Sequence, residues 1–262
     1  MTLIETAKQT TAQVAWRASG QRSDLPMWVD QLLWAADKEQ LHEIPSIDLR
    51  HDVTLSSVID SPYATLASVR SSIRDHDEPN GYTACAIRCY QALFEALKAH
   101  NAKHPIRMWN FVPNINESVD KQINRYMQFN LGRYEALARW YGSETALKDL
   151  VATASGVGHA GEELVVHCLS LKNQPGLSIE NPRQTPAYNY SKRFGPASPS
   201  FARATLAADS HHHRQWLMVG GTASVVGEDS QHTGKLDKQL DETLDNLASI
   251  ISAARAQVPK DW

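Results

Sequence analysis

The sequence has few cysteines, no long hydrophobic run and little net charge. Three of its 262 residues are cysteines, Cys85, Cys89 and Cys168, and this odd number does not fit the disulfide framework of a small secreted protein. No segment approaches the roughly 20 consecutive apolar residues that cross a bilayer. Residues 1–22 mix charged and polar side chains without an apolar core, so we expect no secretory signal, no membrane partner and a cytoplasmic location.

The charge balance is mildly acidic, with 26 Lys and Arg against 29 Asp and Glu. Proteins that bind nucleic acid neutralise phosphates with concentrated positive charge, so we predict no nucleic-acid partner. Hydrophobic residues make up 42% of the chain and charged residues 21%, which is typical of a globular protein with a packed core. A chain of 262 residues has room for one large domain or two small ones.

Three segments have the apolar spacing of amphipathic helices. The first covers residues 82–102, and the second follows Asn116, a candidate N-cap, and ends at Gly142. A shorter helix is expected at 26–41. The third long helix, at 235–256, has the strongest pattern, which predicts one buried face formed by Leu236, Leu240, Leu244, Leu247, Ile251 and Ala254.

Strand-like runs lie between these helices. We predict strands at 107–112, 164–171, 201–207 and 215–219, with weaker candidates at 13–18 and 64–70. Neither a regular βαβ alternation nor the glycine fingerprint of a dinucleotide fold is present. The pattern therefore predicts an α+β fold in which a mixed sheet is covered by two or three long helices.

Residues 173–200 contain five prolines, which is incompatible with a helix or a central strand. Irregular segments of this length in a compact domain are usually functional or are linkers. This proline segment also carries aromatic and cationic side chains, among them Tyr190 and Arg193. That combination suits the recognition of a small anion.

The run from Gly220 to Ser230 leads into the last helix and contains two adjacent carboxylates, Glu228 and Asp229. Small residues at a strand end let a ligand approach the backbone, and a carboxylate there can act as a general acid or base. The same residues also fit a strand-to-helix turn in which Asp229 or Ser230 caps the helix. The spacing alone favours capping.

Two further groups of polar residues have both a binding and a structural interpretation. Arg183 and Arg203 flank much of the proline segment, where an arginine either grips a carboxylate or lies solvated at a sheet edge. Tyr126, Asn130 and Arg133 share one helix face, which fits either a polar pocket or core aromatics with exposed polar neighbours.

No metal or cofactor site is expected. The consecutive histidines at 211–213 point in different directions without other ligands at a metal-binding spacing, so we interpret them as a solvated hairpin tip. Cys85 and Cys89 lie four residues apart on a helical stripe, which indicates core packing. No serine-hydrolase elbow, P-loop or zinc signature is present, and the residues alone name no reaction.

Six motifs follow one another between about residues 105 and 250. They are RMWNFVPNIN at 107–116, YMQFNLGR at 126–133, NPRQTPAY at 181–188, GPASPSFARA at 195–204, GTAS at 221–224 and QLDETLDNL at 239–247. In this order they resemble the chorismatase family.

The resemblance implies a fold similar to the trimeric reactive-intermediate deaminases, in which each unit is YjgF-like or chorismate-mutase-like. Two such α+β units are expected in one chain. The expected divisions are a shortened N-terminal region at 1–80, a first unit at 81–175 and a second at 176–262. The resemblance leaves the assembly open between a monomer and a homotrimer.

The resemblance also implies an enzyme of secondary metabolism that cleaves the enolpyruvyl ether of chorismate without a cofactor. The products would be pyruvate and either a hydroxybenzoate or a dihydroxycyclohexadiene carboxylate. A carboxylic acid with a raised pKa would protonate the enol ether. Asp229 stands where the family has its catalytic glutamate, and Glu228 directly precedes it. The residues expected to bind the small carboxylate substrate are Arg203, Arg193, Arg133, Tyr126, Tyr190, Thr222 and Gly220.

The aspartate at 229 and the short N-terminal region leave two other functions open. One keeps the fold but applies different acid–base chemistry to another small carboxylate or an imine. The other is a catalytically silent binding subunit.

Overall fold

A large mixed sheet organises most of the chain in the computed structural model, which describes residues 42–44, 47–48, 53–72, 81–209 and 214–258. The strands are β1 His42–Ile44, β2 Ile47–Asp48, β3 Val53–Asp60, β4 Ala64–Ser72, β5 His104–Pro113, β6 Thr153–His159 and β7 Glu163–Leu171. Their order in the sheet is β1-β3-β4-β7-β5-β6, with β2 also paired to β3, and only the β5–β6 pairing is parallel.

Helices cover one face of this sheet. They are α1 Gly81–Ala99, α2 Arg125–Tyr141 and the short α3 Glu144–Leu150. The predicted stripe of α1 is buried except for the partly buried Ala96, and Cys85 and Cys89 pack in the core, as predicted. Cys168 of β7 belongs to the same core, and all three cysteines are free. Burying each large apolar side chain stabilises the folded state by roughly 1.5–3 kcal/mol. The apolar residues of α1 therefore recur at the spacing that places them against the sheet.

The start of α2 differs from the prediction. The helix begins at Arg125, and its N-cap is Asn124, whose side chain accepts from the Met127 backbone N–H at 3.0 Å. Asp120 forms a turn first, because its Oδ1 accepts the backbone N–H groups of Gln122 and Ile123. The prediction that Asn116 is the N-cap is therefore wrong. The predicted stop is confirmed, since Gly142 has a φ of 81° at the C-cap.

A second, smaller sheet follows. Its strands are β8 Leu177–Ile179, β9 Ala204–Asp209 and β10 Arg214–Val219, in the antiparallel order β10-β9-β8. A separate two-stranded ribbon pairs β11 Val225–Val226 with β12 Asp229–Ser230, and α4 spans Leu236–Gln257. These elements complete the predicted mixed α+β architecture. The strand predicted at 13–18, the helix predicted at 26–41 and the hairpin tip predicted at 211–213 lie outside the described residues.

The buried face of α4 agrees with the predicted face at Ala254 but not at Leu236, Leu240 and Leu244. The helix buries Asn246, Ile250 and Ala254 against the small sheet, whereas Leu236 is 81% exposed and Leu240 57% exposed. Asn246 faces inward because its side chain hydrogen-bonds to residues that precede the helix in the chain. None of the helices formed by the described residues is long and apolar enough to cross a membrane.

The two sheets meet where β9 lies against the start of β6, a contact that we call the seam. Thr153 of β6 donates its backbone N–H to Thr205 Oγ1 at 3.0 Å, and the two threonine hydroxyls lie 2.8 Å apart. Because side chains alternate along a strand, Ser178 and Thr205 face the seam. On the opposite face, Ile179 and Ala204 pack against α4.

We expect Gly132→Ala to destabilise the protein. A Cβ at position 132 would lie 2.3 Å from the Thr83 carbonyl oxygen and 2.8 Å from Ala86 Cβ, so α1 and α2 would have to separate. Overpacking costs about 1–3 kcal/mol and exceeds the gain in helix propensity of at most about 1 kcal/mol. Urea unfolding measures the change. Gly221→Ala is the control, since nothing lies within 4 Å of its Cβ position, and equal losses for both variants would contradict the steric argument.

Candidate active site

Three residues at the ends of neighbouring strands lie side by side at the seam. The last residues of β8 and β10 both pair with Ala204, so Glu180, Arg203 and Gly220 form the next row across the small sheet. The Gly220 backbone N–H donates to the Arg203 carbonyl oxygen at 2.8 Å. A Cβ at Gly220 would lie 3.1 Å from Thr153 Cγ2, so glycine allows this row to approach β6 closely.

Arg203 is buried among aromatic rings, with 8% of the residue exposed. Its Nη2 donates to the Thr185 carbonyl oxygen at 2.9 Å and to Tyr190 Oη at 2.6 Å, and its Cζ lies 5.3 Å from the centre of the Phe201 ring. Its Nε is buried and has no hydrogen-bond partner among the described residues. The interpretation of a solvated arginine at a sheet edge is wrong at this position. A buried guanidinium with an unused donor fits the recognition of an anion.

Arg193 holds both predicted catalytic carboxylates near the surface. Its Nη2 donates to Asp229 Oδ1 at 2.5 Å, and its Nε lies 3.3 Å from Glu228 Oε1. The side chain of Asp229 is 65% exposed. Ser191 donates to Glu228 through its backbone N–H at 2.9 Å and its Oγ at 2.7 Å, and these bonds hold the pKa of Glu228 below its usual value. Glu228 is therefore arranged as an ionised anchor of the proline segment.

Aromatic rings connect Arg193 to Arg203. The Tyr190 and Phe194 ring centroids are 4.8 Å apart, and Arg193 Cζ lies 4.8 Å from the Phe194 ring centre. Since Tyr190 also accepts from Arg203, the structure links the buried arginine to the exposed Asp229 through continuous contacts. The predicted residues Arg193, Arg203, Tyr190, Glu228 and Asp229 thus lie in one network.

Glu180 is a buried carboxylate that the sequence interpretation missed. Both of its carboxyl oxygens are buried without a well-formed hydrogen bond to a described residue. Burial raises the pKa of Glu180 to about 7, although the Arg203 guanidinium and backbone amide oppose this rise. The available signal was its position directly before the motif that begins with Asn181.

Arg183 contacts the last helix instead of lying solvated. Its Nε donates to Asn246 Oδ1 at 3.0 Å, and its Nη2 forms an ion pair with Glu242. Asn246 in turn donates through Nδ2 to the carbonyl oxygens of Ala223 and Val225, both at 2.9 Å. This group, which we call the Asn246 latch, connects the proline segment, the Gly220–Ser230 run (the glycine turn) and α4.

The capping interpretation of Asp229 and Ser230 is wrong. Both residues form β12, and α4 begins after Lys235 without a side-chain cap. The physical reason is the pairing of the glycine turn with the proline segment, in which the Thr185 backbone N–H donates to the Gly227 carbonyl oxygen at 2.9 Å.

Arg133 lies in a different place from Arg203. It is 3% exposed, and its Cζ lies 5.9 Å from the Tyr90 ring of α1. No hydrogen bond, ion pair or ring contact within the described parts of the chain joins it to Arg203. The side-chain amide of Asn130 is also buried without a partner among these residues. The interpretation with exposed polar neighbours is therefore wrong for Asn130 and Arg133, which form a second buried polar group.

The first turn of α2 approaches β6 and the proline segment. Tyr126 is half-buried, and its Cε2 would lie 3.5 Å from a Cβ at Gly156 of β6. Met127 Cγ would lie 3.0 Å from a Cβ at Gly195. Thr222 is the remaining predicted residue, and its Oγ1 is buried without a hydrogen-bond partner in the described ranges.

A cavity of about 520 Å³ lies elsewhere, beside the C-terminal ends of α1 and α2. Its lining includes Lys98, Lys103, Arg139 and Trp140. Basic residues at helix C-termini complement the helix dipole, which accounts for Lys98 and Arg139. None of the predicted site residues lines this cavity, so it does not alter the assignment of the candidate site.

Glu180→Gln should change how stability depends on pH. A carboxyl group whose pKa is raised on folding stabilises the folded state below its unfolded pKa near 4.5. That contribution is lost as the pH rises through about 7. Between about pH 5 and pH 8 the wild type should lose at most about 3 kcal/mol through this group, and the variant should lack this loss. Urea unfolding at both pH values measures the difference.

Glu228→Gln is the matched control for this measurement. The Ser191 hydrogen bonds lower the pKa of the Glu228 carboxyl in the folded protein. This carboxyl therefore stabilises the fold at neutral pH, and its contribution is lost as the pH falls through its lowered folded pKa. At pH 8 the two variants should therefore differ from the wild type in opposite directions, with Glu180→Gln more stable and Glu228→Gln less stable. Parallel stability curves for wild type and Glu180→Gln would contradict the assignment of a buried, high-pKa carboxyl.

Comparison with known proteins shows that part of this chain is similar to a family. Residues 63–170 match the family described as chorismatase FkbO/Hyg5-like, N-terminal. The 3-hydroxybenzoate synthase of Streptomyces hygroscopicus is 37% identical over 180 residues, which cover 66% of this chain and 51% of that protein. A chorismatase of Streptomyces rapamycinicus is 29% identical over 177 residues, with 67% of this chain and 52% of that protein covered.

The fold has a counterpart among solved structures. The crystal structure of a chorismatase superposes with a TM-score of 0.68 at 24% sequence identity, covering 82% of this chain and 61% of that one. The chain spans about half the length of the curated relatives it matches. Over that shared part, the chain is similar in sequence to these relatives and in fold to the solved chorismatase.

Proposed function

We propose that this chain cleaves the enolpyruvyl ether of chorismate, or of a close analogue, without a cofactor. The products are pyruvate and either a hydroxybenzoate or a dihydroxycyclohexadiene carboxylate. Relatives named 3-hydroxybenzoate synthase and chorismatase support the substrate class. The candidate site supports it independently, because a small dianion needs fixed cationic donors in a place shielded from water.

The observation that carries this proposal is the buried guanidinium of Arg203. Tyr190 and the Thr185 carbonyl oxygen hold its Nη2, which fixes the plane of the group, while the buried Nε retains an unused N–H. A substrate carboxylate at this N–H would be oriented by the protein instead of by water. Arg193 lies at the outer end of the same network and can receive a second carboxylate.

The family resemblance assigns the proton donor to Asp229, with Glu228 beside it, and this assignment stays a prediction. Acting as a donor would require Asp229 to exchange its contact with Arg193 for a contact with substrate. A dianionic substrate that takes over Arg193 would release Asp229 for that role. The roles of Tyr126, Arg133, Thr222 and Gly220 in substrate binding likewise stay proposals.

We also propose that the chain contains two YjgF-like units that divide near residue 175, within a monomer or a homotrimer. In support, α1 and α2 cover the large sheet, whereas α4 covers the small sheet. Strands β3 and β4 pair into the large sheet beside β7, so the first unit includes residues 53–72 as well as the expected 81–175. The second unit keeps the expected range, 176–262.

Incubation with chorismate tests the activity directly. We expect pyruvate and one ring product in equal amounts, because cleavage of the ether releases both. Pyruvate is measured with lactate dehydrogenase and NADH, and chromatography separates hydroxybenzoate from the dihydroxycyclohexadiene carboxylate. A chorismate-dependent thermal shift without either product would contradict cleavage and indicate a binding subunit.

Arg203→Met should lower kcat/KM for chorismate by about 100-fold or more, since each lost factor of ten corresponds to about 1.4 kcal/mol and a buried charged hydrogen bond contributes more than that. Methionine keeps much of the side-chain volume, so the fold should persist. Arg255→Met is the control, because Arg255 is exposed on α4 and should leave kcat/KM unchanged. Equal kinetics for Arg203→Met and wild type would remove Arg203 from the binding site.

A further inference from the structure

The cross-strand neighbour of Arg203 is the most unusual carboxylate in the described structure. Glu180 follows β8 directly, and strand alternation places its side chain on the face that meets the seam. Its two carboxyl oxygens are buried and lack a well-formed hydrogen bond among the described residues. Buried carboxyl groups are normally paired or hydrogen-bonded, so an unsatisfied one beside a buried arginine indicates a ligand-binding position.

The arginine beside it does not neutralise Glu180 by a direct ion pair. Arg203 Nη2 is committed to Tyr190 and the Thr185 carbonyl oxygen, and no Arg203–Glu180 ion pair within 4.0 Å occurs in the described chain. Arg203 Nε and the Glu180 carboxyl therefore both keep free capacity at one end of the small sheet. A cationic donor next to an unpaired carboxyl is what a substrate with a carboxylate and a basic carbon requires.

The environments of Glu180 and Asp229 differ in the respect that matters for proton donation. The Asp229 side chain is 65% exposed and accepts from Arg193 at 2.5 Å. The Glu180 carboxyl is withdrawn from water, and burial raises its pKa to about 7. The charged and titratable groups facing it are Arg203, which directly precedes β9, and Tyr188, which also interacts with Asp149 of α3.

We propose that Glu180 protonates the methylene carbon of the substrate's enol ether while Arg203 holds the adjacent carboxylate. This assignment rests on the proposed function and specifies its proton donor. The residue comes from the row at the seam, not from the Gly220–Ser230 run to which the family resemblance points.

The chemistry balances with water as the only co-reactant. The O–H bond of Glu180 breaks and a C–H bond forms at the methylene carbon, which leaves an oxocarbenium ion and the Glu180 carboxylate. Water adds to the oxocarbenium carbon and returns one proton to Glu180. The resulting hemiketal then breaks its C–O bond to the ring, the hydroxyl proton moves to the ring oxygen, and pyruvate and the ring alcohol leave.

Glu180→Gln tests the assignment. A general acid contributes about 10²–10⁴-fold, so kcat should fall by at least about 100-fold while KM changes by less than about threefold. In the wild type kcat should decline as the pH rises above about 7, because the donor is then ionised. Glu180→Gln should lack this decline. Glu180→Asp should recover part of kcat, because it restores an acid at a longer distance from the substrate.

Three companion variants make the result interpretable. Asp229→Asn should lower kcat by less than Glu180→Gln does, and Glu95→Gln, an exposed change on α1, should match the wild type. Thermal unfolding at pH 5 confirms that Glu180→Gln is folded, and Glu180→Asp serves as the test variant if it is not. Wild-type kcat in a folded Glu180→Gln or Glu180→Asp variant, or a pH profile unchanged from wild type in a folded Glu180→Gln, would overturn the assignment.

The outcomes also separate this assignment from the proposed function. If the wild type releases pyruvate and only Asp229→Asn abolishes the release, chorismate cleavage stands and Glu180 is not the donor. If the wild type releases no pyruvate, the proposed function is overturned together with this assignment.

Discussion

The candidate site depends on the contact between Thr153 and Thr205. This pair joins β6, the edge of the large sheet, to β9 of the small sheet through a backbone–hydroxyl bond of 3.0 Å and a hydroxyl pair at 2.8 Å. Two threonines are suited to this position, because each hydroxyl can donate and accept while the methyl groups exclude water. The register of β9 against β8 and β10 then determines which residues reach the seam.

The site distributes charge in an unequal way. Arg203 and Glu180 lie inside, with unused hydrogen-bonding capacity, whereas Arg193, Glu228 and Asp229 satisfy one another near the surface. Burial makes an electrostatic contact stronger but also makes an unpaired group more costly. The inner pair is thus maintained by the fold at the expense of stability, which is a frequent property of functional sites. The outer group costs little and orders the proline segment.

The sequence predicted those elements whose pattern is local. The stripe of α1, the stop at Gly142 and strands β5, β7 and β10 follow from periodicity and glycine conformation, which neighbouring residues determine. The predicted start of α2 was wrong because Asp120 forms an Asx-type turn that competes with helix initiation. The predicted face of α4 was wrong at Leu236, Leu240 and Leu244, because Asn246 bonds to residues more than twenty positions earlier in the chain.

The candidate site was predictable only in part, for the same reason. Arg203 and Asp229 were named through the family resemblance, whereas Arg193 and Tyr190 were also singled out because aromatic and cationic residues are concentrated in the proline segment. Glu180 was missed because its character arises from burial beside Arg203, which is 23 positions later in the chain and adjacent only in the sheet. No composition or spacing rule indicates that a glutamate next to a strand will be withdrawn from water.

The Asn246 latch has a consequence for the order of events during synthesis. The proline segment and the glycine turn are translated before α4, yet Asn246 and Glu242 of α4 supply the partners of Arg183, Ala223 and Val225. Until those residues leave the ribosome, both loops lack these anchors. The large sheet can therefore form on the nascent chain while the two loops of the candidate site are still unanchored, and these loops become fixed only after α4 has been synthesised.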